Sequence, residues 1–101
     1  MKCSHKREKQ GIVIRFCGEL GHHEAAQCVE YLEKTMILYA NDPIILDLSG
    51  LTFMDSSGIA VVMRARQRMR ALGGSIVLRN AGPQPRKVLE AAGLDRFVTL
   101  E

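Results

Sequence analysis

The spacing of hydrophobic residues along the chain alternates between the two-residue period of a strand and the longer period of a helix. Short apolar runs predict strands at 12–17, 44–54, 75–79 and 97–100, and periodic stretches that stop at glycine or proline predict helices at 22–39, 57–72 and 83–92. Strands that alternate with helices favour a mostly parallel sheet. We therefore predict an α/β fold with a four- or five-stranded, mostly parallel sheet.

Each of the two longer helices is predicted to bury one face. In the first helix the apolar positions that recur at helical spacing are Ala25, Ala26, Val29, Leu32, Met36 and Ile37. In the second, the predicted core stripe is Ile59, Val62, Ala65, Met69 and Leu72. The rest of the second helix carries an apolar patch at Ala60 and Met63, edged by Arg64. Methionine flanked by arginine is typical of protein interfaces.

The size of the chain and its first residues set the domain organisation. With 101 residues, of which 47% are hydrophobic, the chain is predicted to form one domain over 1–101 around one core. Residues 2–8 are mostly polar and charged and predict an edge strand, since lysine-rich edges resist unwanted pairing. No apolar stretch approaches the roughly 20 residues needed to cross a bilayer. We expect a cytoplasmic protein with no membrane partner.

The charge of the chain is only mildly basic. A net charge of +3 comes from 14 Lys and Arg against 11 Asp and Glu, and only 5% of residues are aromatic. Arginines at alternate positions 64, 66, 68 and 70 cannot form one stripe on a helix, and base stacking would need more aromatic side chains. We expect no direct nucleic-acid binding, and the arginines fit either a solvated face or a contact for an acidic protein.

Neither metal nor cofactor chemistry is indicated. Cys3, Cys17 and Cys28 lack C-x-x-C spacing, and His22 and His23 are neighbours that point in different directions without a third ligand. No glycine-rich phosphate loop of recognised spacing is present. We expect no metal ion, no cofactor and three reduced thiols.

A short polar segment joins the strand at 44–54 to the helix at 57–72. It reads Asp55, Ser56, Ser57 and Gly58, and it places two hydroxyls at a helix start, where free backbone N–H groups and the helix dipole favour a phosphate. Serine and aspartate are also ordinary helix N-caps, so a purely structural role stays open. An enzyme hypothesis would use Ser56 or Ser57 as nucleophile with a histidine and Asp47 or Asp55. Gly-x-Ser-x-Gly is absent, and we expect no catalysis.

Three segments carry a resemblance to a known family. They are 53–59 (FMDSSGI), 18–23 (GELGHH) and 89–94 (LEAAGL), and they resemble STAS domains, more narrowly the bacterial anti-sigma-factor antagonists. The resemblance implies a sheet with its helices mainly on one side. It also implies partner switching, in which the unphosphorylated protein binds an anti-sigma factor that is itself a serine kinase, and so releases a sigma factor. A PP2C-type phosphatase would reset the switch.

The resemblance also assigns roles to individual residues. The phosphorylated residue would be Ser56, with Ser57 as the second candidate, in a turn formed by Asp55, Ser57 and Gly58. The residues expected to face the partner are Gly21, His22, His23, Met54, Ala60, Met63 and Arg64. The alternative within the same fold is a STAS scaffold module of a signalling or transporter complex that is not switched by phosphorylation.

The C-terminal end of the chain differs from the family pattern. The family has a further helix after the last strand, and this chain ends at Glu101 before one could form. We expect the surface that such a helix covers to be open, and the protein to be a monomer or a weak dimer.

Overall fold

One five-stranded sheet organises the molecule, and its strand order follows the order of the chain. The computed structural model describes all 101 residues. The elements are β1 Lys2–Glu8, β2 Gly11–Leu20, α1 Ala25–Leu38, β3 Ile44–Met54, α2 Ser56–Ala71, β4 Ile76–Arg79, α3 Pro83–Ala91, a 3-10 helix Leu94–Arg96 and β5 Thr99–Leu100. Strand β1 pairs antiparallel with β2, and all other neighbours are parallel. The predicted α/β fold is confirmed.

The helices cover one face of the sheet, as predicted. Alternate residues of β2 and β3 point toward them because side chains alternate along a strand. Together with the helices they form a single cluster of 20 buried residues, which includes Ile12, Ile14, Phe16, Ile44, Leu46 and Leu48 from these strands. The core is aliphatic apart from Phe16.

The opposite face of the sheet carries charged side chains. Its apolar residues Val13 and Ile45 are only 3% and 7% exposed, although no helix covers them. Arg79 lies beside them and reaches Asp47 at 3.6 Å and Glu8 at 3.5 Å. Long charged side chains can cover apolar surface with their aliphatic stems while their heads stay in water. This face therefore needs no helix.

The structure corrects the predicted faces and start of the helices. Helix α1 begins at Ala25, because residues 22–24 form a turn. Ile37 is 56% exposed, and Thr35 takes the buried position since its hydroxyl donates to the Tyr31 carbonyl at 2.9 Å. In α2 the buried stripe contains Val61, which the prediction omitted. Of the other apolar positions named above, Ala26 is exposed, whereas Ala25, Val29, Ile59 and Leu72 are half-buried and pack against the core.

The two edge strands of the sheet, β1 and β5, show features that the sequence pattern did not predict. Strand β1 docks on α1 through His5, whose ring packs against Tyr31 and Tyr39. At the other edge only Thr99–Leu100 is a strand, and Phe97 lies half exposed after the 3-10 helix, where Arg66 donates to its carbonyl at 2.8 Å. None of the helices has the length and apolar character needed to span a bilayer.

Candidate functional site

The predicted phosphorylation turn lies where β2 and β3 both end. Leu20 pairs with Met54 at the carboxyl ends of these parallel strands, and the Asp55 N–H donates to the Leu20 carbonyl at 3.4 Å. Helix α2 begins at the next residue, Ser56. Ligands of α/β folds usually bind at the carboxyl ends of the strands, so this edge of the sheet is the candidate functional site.

Asp55 caps helix α2, and this leaves both serine hydroxyls uncommitted. Its Oδ1 accepts from the Ser57 N–H at 2.8 Å, while its own backbone is extended. Ser56 is exposed, Ser57 is half-buried, and neither hydroxyl makes a hydrogen bond in the structure. The capping role that sequence alone left open for a serine therefore belongs to Asp55. Ser56 is the more accessible hydroxyl, and it stands at the positive end of the helix dipole.

A side chain that sequence reasoning missed fixes the turn from below. Gln84 of α3 accepts from the Met54 N–H and donates to the Met54 carbonyl, both at 2.8 Å. Met54 itself is 1% exposed, so the prediction that it contacts a partner is wrong. It packs under α2, where an added Cβ on Gly58 would lie 2.4 Å from Met54 Cγ. The signal in the sequence was a polar residue between Pro83 and Pro85, in the first turn of a helix that follows β4.

The loop after β2 reaches the same turn. A Cβ built on Gly21 would lie 3.4 Å from Asp55 Oδ2, which brings this loop against the cap of α2. His22 and His23 are exposed in the turn before α1, with ring centroids 5.6 Å apart. No group of three histidine, cysteine, aspartate or glutamate side chains comes together as a metal site. The predicted loop residues and the serines therefore share one corner of the molecule.

The predicted patch on α2 is partly occupied by internal contacts. Ala60 is exposed, and Met63 is half-buried and packs against the core. Arg64 is exposed but forms an ion pair with Glu33 of α1 at 3.1 Å. Arg64 therefore contributes a neutralised pair to this surface.

Asp47, named in the enzyme hypothesis, lies away from this corner. It is on the face of the sheet opposite the helices, where its Oδ1 accepts from the Ser49 N–H at 2.9 Å. Burial alone would raise the pKa of Asp47, but hydrogen bonding by Ser49 and the charges of Arg79 and Arg15 outweigh it and hold the pKa below its ordinary value. Asp47 is thus bound into a structural network and orients neither His22 nor His23.

Two of the three thiols, those of Cys3 and Cys28, are poor nucleophiles. Burial raises the pKa of Cys28 to about 12, with the nearby Cys3 adding to the effect. Burial also raises the pKa of Cys3. Because the thiolate is the reactive form of cysteine, both residues act as small core side chains.

Comparison with known proteins agrees with this arrangement. A family model for the STAS domain matches residues 4–101. The anti-sigma F factor antagonist of Lysinibacillus sphaericus is 36% identical over 86 residues, which are 85% of this chain and 74% of that protein. The anti-sigma F factor antagonist of Paenibacillus polymyxa is 26% identical over 89 residues, 88% of this chain and 76% of that protein.

Solved structures match over nearly the whole chain. The anti-sigma factor antagonist SpoIIAA in its unphosphorylated form gives a TM-score of 0.78 at 28% identity, covering 99% of this chain and 88% of that chain. The Bacillus cell fate determinant SpoIIAA in the phosphorylated form gives 0.72 at 30% identity, covering 99% and 91%. With its mostly parallel sheet, its helices on one side and the strand-to-helix turn at Asp55, this chain belongs to the STAS domain family.

Proposed function

We propose that this chain is an anti-sigma-factor antagonist that is controlled by phosphorylation at Ser56. In its unphosphorylated form it binds an anti-sigma factor and thereby frees a sigma factor. The anti-sigma factor is also the serine kinase that modifies Ser56, and a PP2C-type phosphatase removes the phosphate. The exchange takes place in the cytoplasm.

The observation that carries the proposal is the state of Ser56. It is the first residue of α2, exposed, with a hydroxyl that makes no hydrogen bond, because the neighbouring Asp55 already caps the helix. A kinase can therefore phosphorylate this hydroxyl without breaking the hydrogen bond by which Asp55 caps α2. The relatives described above are named anti-sigma F factor antagonists, and one of the similar structures is a phosphorylated form.

A phosphate on Ser56 would act through charge and size. It would add about −1.5 to −2 charges at the positive end of the α2 dipole, which tolerates an anion. Both the unphosphorylated and the phosphorylated SpoIIAA structures match 99% of this chain, which supports a switch that needs no change of fold. A hundredfold loss of affinity corresponds to about 2.7 kcal/mol, which one misplaced, desolvated phosphate can supply.

The docking surface follows from the residues around Ser56. Gly21, His22 and His23 flank it on the loop after β2, and Ala60 and Met63 continue it along α2. Ser57 is half-buried and is the weaker candidate for modification. Met54 and Gln84 support this surface from inside, and Arg64 enters it paired with Glu33.

A capture experiment tests the proposal. The purified protein and its Ser56→Glu variant are incubated with ADP in a lysate of the producing cells, and the retained proteins are identified by mass spectrometry. Ser75→Glu is the matched control, since it adds the same charge at an exposed serine before β4. We expect the unchanged protein and Ser75→Glu to retain a serine-kinase anti-sigma factor, and Ser56→Glu to lose it.

Two other results would contradict the proposal. Retention of the same anti-sigma factor by all three proteins would mean that Ser56 is not the control point. Retention of signalling or transporter components in its place, again by all three, would favour the STAS scaffold that is not switched by phosphorylation.

A further inference from the structure

Gly21 is a glycine that the fold does not require. Its φ lies outside the left-handed region, and the nearest atoms to an added Cβ are Asp55 Oδ2 at 3.4 Å and Glu24 Oε2 at 4.0 Å. Both distances are ordinary van der Waals contacts. At Gly58 and Gly50, by contrast, an added Cβ would lie within 2.4 Å and 2.5 Å of another atom. A side chain at position 21 would thus fit, and what it would change is access to Asp55.

The missing side chain leaves one oxygen of Asp55 uncovered. Oδ1 is used by the Ser57 N–H, whereas Oδ2 makes no hydrogen bond or ion pair. Glu24, whose Oε2 borders the same space, has no ion pair either. Six of the 11 acidic side chains are paired with a cation, and three of the five unpaired ones are Glu19, Glu24 and Asp55 at this corner.

The basic residues of the chain are unevenly distributed around the loop and the serine turn. The loop and the serine turn belong to the stretches 16–33 and 41–63, and neither stretch contains a lysine or arginine, although the chain has 14. The third segment at this corner, α3, carries Lys87 and also Arg86, which pairs with Glu90 at 3.6 Å. A chain with net charge +3 therefore presents an acidic corner beside its exposed serine. Complementary charge guides both partner choice and the rate of association.

We propose that Gly21 determines partner specificity by leaving Asp55 Oδ2 open to a basic side chain of the anti-sigma factor. This inference rests on the proposed function above. Glu24 lies on the other side of the same opening and shares the contact. A larger side chain at position 21 covers Oδ2 and excludes the basic group.

The test is a double-mutant cycle with a defined probe, the purified anti-sigma F factor of Lysinibacillus sphaericus. Gly21→Leu covers Oδ2, and Asp55→Asn removes the charge while keeping a side chain that caps helices equally well. We expect each single variant to bind about tenfold more weakly, with a shallower salt dependence for Asp55→Asn. Both substitutions are expected to remove the same contact with Asp55 Oδ2. The affinity of the double variant should therefore be no lower than that of the single variant with the lower affinity.

Control variants keep the result interpretable. Gly82→Ala adds a side chain where nothing lies within 4 Å, and Glu90→Gln removes a carboxylate from α3, so both should bind like the unchanged protein. Urea unfolding should place Gly21→Leu and Asp55→Asn within about 0.5 kcal/mol of the unchanged protein. Additive losses, or full affinity of Gly21→Leu, would overturn the role of Gly21 while the proposed function stands. No binding of this factor by the unchanged protein, together with no capture of an anti-sigma factor from the lysate of the producing cells, would overturn both.

Discussion

Two aspartates of strand β3 and its end, Asp47 and Asp55, serve different purposes. Both oxygens of Asp47 have partners, the Ser49 N–H at 2.9 Å and the Arg79 guanidinium at 3.6 Å, and the residue is 8% exposed. Asp55 uses one oxygen to cap α2 and leaves the other open beside Gly21. Asp47 therefore stabilises the sheet, whereas Asp55 keeps one carboxylate oxygen free to accept a contact from a partner.

The contrast extends to the surroundings of each residue. Around Asp47 the side chains of Arg79 and Glu8 pair with each other and cover the sheet. Around Asp55 the serine hydroxyls and the carboxylates of the loop have no internal partners. Polar groups that are paired internally usually serve folding, whereas exposed and unpaired ones at the end of a parallel sheet are available to a partner. Substitutions at both ends of β3 test this division.

The largest effect on stability is expected at Gln84, which supports the Asp55 end from inside. Gln84→Ala leaves the N–H and the carbonyl of buried Met54 without their partners. Unpaired buried polar groups cost about 1–3 kcal/mol, so we expect a loss of about 2 kcal/mol in the free energy of unfolding. Urea unfolding measures it. A loss below about 0.5 kcal/mol would show that the turn does not depend on this clamp.

The next effect is expected at Asp47. Asp47→Asn keeps an acceptor for the Ser49 N–H but removes the charge that pairs with Arg79, so we expect a loss of about 1 kcal/mol at neutral pH and unchanged partner binding. A binding defect as large as that of Asp55→Asn would erase the division between the two aspartates.

The same variant carries a prediction about pH. Because the folded pKa of Asp47 is lowered, its charge stabilises the fold above the unfolded pKa of about 3.9 and loses that effect as the pH falls through the folded pKa. The stability difference between the unchanged protein and Asp47→Asn should therefore be full near pH 7 and vanish in strong acid. Urea unfolding across this range checks it, and a difference that does not depend on pH would contradict it.

An effect of similar size to that at Asp47 separates helix capping by Asp55 from its charge. Asp55→Ala removes the cap of α2 and should cost about 1 kcal/mol of stability, whereas Asp55→Asn should cost almost none. Thermal unfolding of the two variants distinguishes capping from charge. Equal losses would mean that the carboxylate charge, rather than the cap hydrogen bond, stabilises the helix.

The smallest effect is expected at Ser57. Its hydroxyl makes no hydrogen bond and its backbone N–H stays capped in Ser57→Ala, so stability should change by no more than about 0.5 kcal/mol. Phosphorylation by the anti-sigma factor should continue. Loss of phosphorylation in Ser57→Ala, with the fold intact, would move the modified residue from Ser56 to Ser57.

Local patterns predicted the order of elements because each strand and helix carries its own periodicity. They placed the start of α2 within one residue, since Asp55 and the following serines form a strong local signal. The local patterns gave wrong burial at positions whose burial depends on tertiary contacts. Thr35 replaced Ile37 in the core because its hydroxyl is satisfied within the helix, and Val61 joined the buried stripe because α2 lies against both α1 and the sheet.

The candidate site was predicted only in part for the same reason. Ser56, Gly21 and the histidines could be placed together because the carboxyl ends of parallel strands meet at one edge. The clamp from Gln84 joins residues 30 positions apart, and the pairing of Arg64 with Glu33 joins residues 31 apart, so neither has a local signature. Met54 looked accessible beside the turn, but the close approach of Gly58 buries it.

The most direct measurement phosphorylates the protein with the anti-sigma F factor of Lysinibacillus sphaericus and ATP, maps the phosphate by mass spectrometry, and compares the affinities of both forms for that factor by calorimetry. The account predicts phosphate on Ser56 alone and binding at least about a hundredfold weaker after modification, or about 2.7 kcal/mol. Phosphate on another residue, or equal affinity of the two forms, would contradict the claim that Ser56 controls partner binding.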